Sequence, residues 1–270
     1  MIHAGKKNIL GIGVDAVDYE AAVHQILEAA RHQRGFTVSA LAVHGVMTGV
    51  SDPEHRYRLN RFDLICPDGQ PVRWMLNLSA SAGLTDRVYG PFLTLKLCKQ
   101  ASEKGIPLFF FGSSQQVLER LSTSLKERFP GIRIAGTRPS RFRKATPQEI
   151  EQDVHAIKES GAAITFVGLG CPRQEVWAYE MKDKLGMPII SVGAAFDFLS
   201  GNLEMAPPWM QRMGLEWFFR LLKEPGRLWQ RYLILNSLYC FYSACQLCGV
   251  RTQTLAMENA IPPQQKMNYG

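Results

Sequence analysis

From the N-terminus to about residue 202, short apolar runs alternate with stretches whose apolar positions recur every three or four residues. The runs predict strands at Asn8 to Val14, Phe36 to Val43, Leu64 to Cys66, Pro107 to Phe111, Ile132 to Thr137, Ala163 to Val167 and Pro188 to Val192. Between them, Tyr19 to His32, Gln115 to Arg128 and Pro147 to Ser160 carry the helical period. Strands alternating with helices of this length imply right-handed βαβ units and a mainly parallel sheet. Several runs are apolar almost throughout, as required when helices cover both faces. The predicted fold is therefore an α/β body of Rossmann-like type, residues 1–202.

After Asn202 the pattern changes. Residues 206–231 hold Pro207, Pro208, three tryptophans and the arginines Arg212, Arg220, Arg227 and Arg231, and Tyr232 to Val250 carries no charge. This reads as a C-terminal helical extension, residues 203–250, followed by a polar tail, 251–270, expected to be disordered. The uncharged run approaches the length of a membrane span, but Asn236, Ser237, Ser243 and Gln246 interrupt it. With arginines and tryptophans before it, it is expected to lie in the plane of a membrane interface. A buried core helix and a span are the alternatives.

A net charge of +7 favours anionic partners, without choosing among phosphate, nucleic acid and acidic lipid. The six cysteines show no disulfide spacing, and Cys245 and Cys248 form a lone pair without the second pair that a zinc ribbon needs. They read as free thiols in a reducing cytoplasm. The N-terminus has no apolar stretch of signal-peptide length, so export by that route is not expected.

Ligands of open parallel sheets bind beyond the carboxyl ends of the strands. Three turns there hold candidate binding residues. Gly112 and Ser113 open a helix, where backbone amides suit phosphate or an ordinary N-cap explains the serine. Gly168 and Gly170 precede Pro172, which suits a first helical position. Gln174 and Glu175 then fall in the first turn, where glutamine bonds a sugar or diphosphate, or caps the helix. Gly193 and Asp197 follow the last strand, with Asp197 holding a sugar hydroxyl or capping. Gly11-Ile-Gly13 loosely matches a dinucleotide-binding turn, but Asp15 opposes a pyrophosphate, and no acid ends the next strand to hold a ribose. A nicotinamide oxidoreductase is thus the rival reading, and a non-catalytic nucleotide- or lipid-binding scaffold the third.

Asp68, between Pro67 and Gly69, is either a turn former or a general base for an attacking hydroxyl. Arg220, Arg227 and Arg231, spaced by seven and four, are expected near one helix face. They form either a surface stripe or a cationic clamp on a leaving diphosphate.

Taken together, Gly168-Leu-Gly-Cys-Pro-Arg-Gln-Glu-Val-Trp177, Gly193-Ala-Ala-Phe-Asp-Phe-Leu-Ser-Gly201, the stretch from Ala206 to Tyr232 and the Pro67-Asp68-Gly69 turn resemble the WecG/TagA/CpsF glycosyltransferases over about residues 8–235. The resemblance implies transfer, with inversion and without a metal or other cofactor, from a UDP-sugar of N-acetylmannosamine type to an undecaprenyl-diphosphate-linked sugar. It implies Asp68 as base, Arg87 and Gln174 as substrate contacts, and Arg220 and Arg227 as diphosphate contacts. Ser39 stands where the family usually has a threonine, and Leu41 replaces the asparagine that normally follows. That departure leaves glucose or a uronic acid derivative open as donor. The implied partners are the UDP-sugar, the polyprenyl-diphosphate acceptor and an anionic membrane surface at the inner face of the cell membrane. No nucleic acid is expected, and a homo-oligomer is left open.

Overall fold

The structure, a computed structural model, describes residues 1–250 apart from the side chains of Arg227 and Arg231. The expected tail, 251–270, lies outside the described residues.

The chain begins with a hairpin, β1 (His3–Ile9) and β2 (Ile12–Val17), paired antiparallel and separate from the main sheet. This corrects the single strand expected over Asn8 to Val14. Ile9 pairs with Ile12 across a two-residue turn in which Leu10 (φ +54°) and Gly11 (φ +87°) are both left-handed. That is the backbone a tight hairpin turn needs, so the glycine match is a strand-to-strand turn and cannot cradle a dinucleotide. The Asp15 side chain instead serves the main sheet, where its Oδ2 accepts the N–H of Ile65 on the edge strand at 2.7 Å. A buried carboxylate thereby satisfies an otherwise free edge donor.

The remaining elements alternate: α1 (Tyr19–Arg31), β3 (Phe36–Leu41), α2 (Val43–Ser51), α3 (Pro53–Leu59), β4 (Leu64–Pro67), α4 (Gln70–Ala80), α5 (Gly90–Lys104), β5 (Leu108–Gly112), α6 (Gln115–Arg128), β6 (Ile134–Arg138), α7 (Pro147–Glu159), β7 (Ile164–Gly168), α8 (Arg173–Leu185), β8 (Pro188–Ser191) and α9 (Ala195–Leu199). Starts are set by short polar caps: Asp18 for α1, Asp52 for α3, Ser114 for α6, and a Thr146–Glu149 capping box for α7. β3 ends at Leu41, two residues before its expected end, because Val43 already opens α2.

Six strands form one parallel sheet in the order β4-β3-β8-β7-β5-β6. Alternation along β5 divides the core: Leu108 and Phe110 face α1, α5, α6 and α9, while Phe109 and Phe111 face the hairpin, α2, α4, α7 and α8. The two layers put every strand's carboxyl end on one open edge, with the first and last sheet strands, β3 and β8, side by side.

Three helices follow: α10 (Pro208–Arg212), α11 (Glu216–Lys223) and α12 (Pro225–Leu247). The single arginine-bearing helix face is corrected here. Glu224 leaves the helical region (φ −134°, ψ 57°) ahead of Pro225, as the residue before proline tends to. Arg220 therefore sits on α11, and Arg227 and Arg231 sit on α12. One face of α12 packs on the body: Leu228 and Tyr239 are buried, Tyr239 Oη donates to Pro71 O at 3.2 Å, and Gln246 bonds both Leu10 N–H and Asn8 O at 2.8 Å. The other face leaves Leu233, Ile234 and Phe241 exposed. Among the described residues no helix is long and apolar enough to cross a membrane.

Candidate active site

Asp68 stands at the carboxyl end of β4, and its N–H donates to Leu41 O at the end of β3, 3.2 Å away. Gly69 follows at φ +106°, a conformation glycine adopts without strain, and turns the chain into α4. Asp68 Oδ2 accepts a long bond, 3.4 Å, from the N–H of Gly90 at the start of α5. A Cβ on Gly90 would lie 3.2 Å from Val192 O and 3.5 Å from Ala40 Cβ. Glycine there lets the ends of β3, β4 and β8 and the start of α5 converge on one carboxylate.

Arg87 is buried beside it, its guanidinium 4.1 Å from the Tyr89 ring centroid. It donates to Glu216 on α11 and, at 3.4 Å, to Gln211 Oε1. Tyr89 Oη donates to the other Glu216 oxygen at 2.8 Å, and Tyr89 N–H donates to Tyr19 Oη at 2.9 Å. Arg220 lies 5.7 Å over the Phe198 ring, and its buried Nε has no hydrogen-bond partner.

Burial pushes the Asp68 carboxyl up to about 7; Arg87 opposes the rise, Glu216 adds to it, and the Gly90 N–H and Arg220 pull it down. The result is a carboxyl that exchanges its proton near neutral pH, the property wanted of a general base.

A second buried group supports the same edge. Gln174 Oε1 accepts the Gly193 N–H at 2.9 Å, and Gln174 Nε2 donates to Glu175 Oε1 at 2.8 Å. Ser39 Oγ donates to that Glu175 oxygen at 3.0 Å, and burial raises the Glu175 pKa. Gln174 thus pins the turn after β8 instead of capping its own helix, and Ser39, fully buried, is engaged with Glu175. Pro172 stands at the N-cap, one position before the helix, not at its first residue.

Several other expected positions are built into the scaffold. Gly112 (φ +108°) has no room for a Cβ, which would lie 2.8 Å from the backbone of Gly168. The Ser113 N–H, the supposed phosphate donor, is bonded to Gly168 O at 3.0 Å, while Ser114 caps α6. A Cβ on Gly168 would strike the Phe196 ring. Gly170 (φ +78°) has open space around it. Asp197 does not cap α9, whose N-cap is Ala194; it accepts from Asn202 Nδ2 at 2.9 Å. The side chains of Arg227 and Arg231 lie outside the described residues.

Sequence reasoning missed Tyr89, Gly90 and Glu216. Glu216 was the findable one, being an acid amid the arginines and tryptophans of the C-terminal stretch.

An acid of near-neutral pKa, flanked by guanidinium groups at the carboxyl edge of a parallel sheet, is an arrangement suited to proton abstraction beside an anion. Residues 7–253 match the model of the glycosyl transferase WecG/TagA/CpsF family, and the chain belongs to that family. It is a glycosyltransferase of polysaccharide biosynthesis, an enzyme that takes a sugar-nucleotide donor and a glycan acceptor.

Proposed function

We propose that the protein transfers a hexose of N-acetylmannosamine type, or a related hexose or uronic acid, from a UDP-sugar to an undecaprenyl-diphosphate-linked saccharide by one inverting displacement. Asp68 takes the proton of the acceptor hydroxyl as its oxygen bonds the anomeric carbon. The bond from that carbon to the β-phosphate oxygen breaks, and UDP leaves. Arg87, Arg220 and Arg227 meet the developing charge on the diphosphate. Gln174, through Gly193, holds the turn that faces the donor. The observation that carries this reading is the Asp68 carboxyl, held near pH 7 with Arg87 and Arg220 beside it.

In this reading, guanidinium groups do the work of a divalent ion at the leaving group, so magnesium and manganese are not required. The exposed apolar side chains Leu222, Leu233, Ile234 and Phe241 suit docking of α11 and α12 in the headgroup region at the inner face of the membrane. The body of residues 1–202 and the extension of 203–250 then complete one site between them.

The test is mass spectrometry of a polyprenyl-diphosphate acceptor incubated with the enzyme and a panel of UDP-sugars. One added hexose-type residue, formed with inversion and without magnesium or manganese, is expected. No transfer from any UDP-sugar, or activity lost to EDTA and restored by magnesium or manganese, refutes the respective part. Phe241→Glu is expected to weaken binding to anionic liposomes, and unchanged binding removes the docking surface.

A further inference from the structure

We propose that His55, Cys171 and Glu175 form a site for one soft divalent cation, with zinc the best match, behind the transfer site. His55 lies on α3, Cys171 in the loop after β7, and Glu175 in the first turn of α8. One potential ligand atom from each lies within 4.8 Å of the others. Zinc bonds of about 2.0–2.3 Å in a tetrahedron place ligand atoms roughly 3.3–3.8 Å apart. Modest side-chain rotations therefore close the site.

Two observations independent of that clustering point to a ligand. His55 is wholly buried, and neither Nδ1 nor Nε2 has a hydrogen-bond partner. Buried imidazoles almost always place at least one ring nitrogen on a partner, and a metal bond is such a partner. Glu175 is also fully buried. Its Oε1 accepts from both Ser39 and Gln174, Oε2 has no nitrogen or oxygen donor, and the Cys171 thiol, a ligand of the proposed site, also hydrogen-bonds the carboxyl. Such bonds on one oxygen orient a carboxylate for ligation through the other.

The chemistry of the three groups agrees. One nitrogen, one sulfur and one oxygen suit zinc better than magnesium or calcium, which prefer oxygen alone. The thiol of Cys171 releases its proton to solvent on binding. A divalent cation with one thiolate and one carboxylate then sums to zero charge, which a dry interior tolerates. Cys171 is only half-buried, which gives the ion a way in. Such an ion ties α3 and the loop after β7 to α8. Through Glu175 it steadies Ser39 and Gln174, and hence the Gly193 turn. It makes no bond to Asp68 or Glu216, so it is distinct from any ion at the leaving diphosphate.

The experiment uses the full chain, prepared without a polyhistidine tag, incubated with zinc and desalted. About one equivalent of zinc per chain is expected, with cobalt substitution giving a thiolate-to-cobalt charge-transfer band. Cys171→Ala is expected to lose both, whereas Cys245→Ser/Cys248→Ser keeps both. Should Cys171→Ala fail to fold, zinc is expected to protect Cys171 of the unaltered protein from alkylation, read by peptide mass spectrometry. Less than about a tenth of an equivalent in the unaltered chain overturns the site. So does full loading in Cys171→Ala, loss of the band only with Cys245 and Cys248, or no protection of Cys171.

Discussion

Replacing Asp68 by Asn removes the proposed base while keeping its shape and its contact with the Gly90 N–H. The carboxyl pKa stands at about 7 instead of 3.8, which favours the neutral form by roughly 4 kcal/mol. A base of this kind is about one-tenth ionised at pH 6 and about nine-tenths at pH 8. The kcat/KM of the native enzyme should therefore rise about tenfold per pH unit up to about pH 7 and then level off. Asp68→Asn should lose about 10²–10⁴ in rate, the usual contribution of a positioned base, and should lose that limb. Stability moves the other way. A carboxyl whose folded pKa is raised stabilises the fold below its unfolded value, and that contribution disappears as pH rises through about 7. Ionised Asp68 is thus a liability at pH 8, by at most about 4 kcal/mol and less for a partly exposed group. The Asn variant should melt no lower than the native protein there. The assays are initial rates across pH and thermal melts at pH 8. A native profile that is flat through pH 7, or a limb that survives in Asp68→Asn, refutes the assignment.

Glu216→Gln removes the negative charge that raises the Asp68 pKa and frees Arg87 to lower it further; the acidic limb should move down by about one pH unit or less, and an upward move would contradict the geometry. Arg220→Ala should cost roughly 10²-fold in kcat with a UDP-sugar, as loss of one transition-state donor does; an unchanged kcat removes Arg220 from the diphosphate. Gly112→Ala forces a Cβ to 2.8 Å from Gly168 backbone at φ +108°. Denaturant unfolding should show at least about 2–3 kcal/mol lost, and a near-neutral change would mean β5 and β7 can part at that point.

The parallel sheet was legible because its signal is local: each buried strand is a short apolar run, and each helix carries its own period and cap. The first strand misled for an equally local reason. Asn8 to Val14 reads as one apolar run, and only the left-handed backbone at Leu10 and Gly11 makes it a hairpin. Glycine at the second turn position is a recognised signal; leucine at the first is not, since the pairing of Ile9 with Ile12 imposes its conformation. The arginine spacing failed at Pro225, whose effect on Glu224 outweighed a periodicity running across it. Asp68 was visible because a strand end and a glycine turn place it without help from distant residues. A general-base role was legible as one of two readings; the surroundings that raise its pKa were not. The pKa of about 7 depends on burial and on Arg87 and Glu216, and those two meet across 129 positions of sequence. No periodicity or motif encodes that distance, which is set by where the sheet ends and where α11 folds back over it. Glu216 bonds both Arg87 and Tyr89, so on the proposed function a donor diphosphate would compete with it for Arg87. In the proposed reading the extension does more than cover the cleft: Glu216 supplies a charge that raises the Asp68 pKa and is the anion that substrate would displace from Arg87.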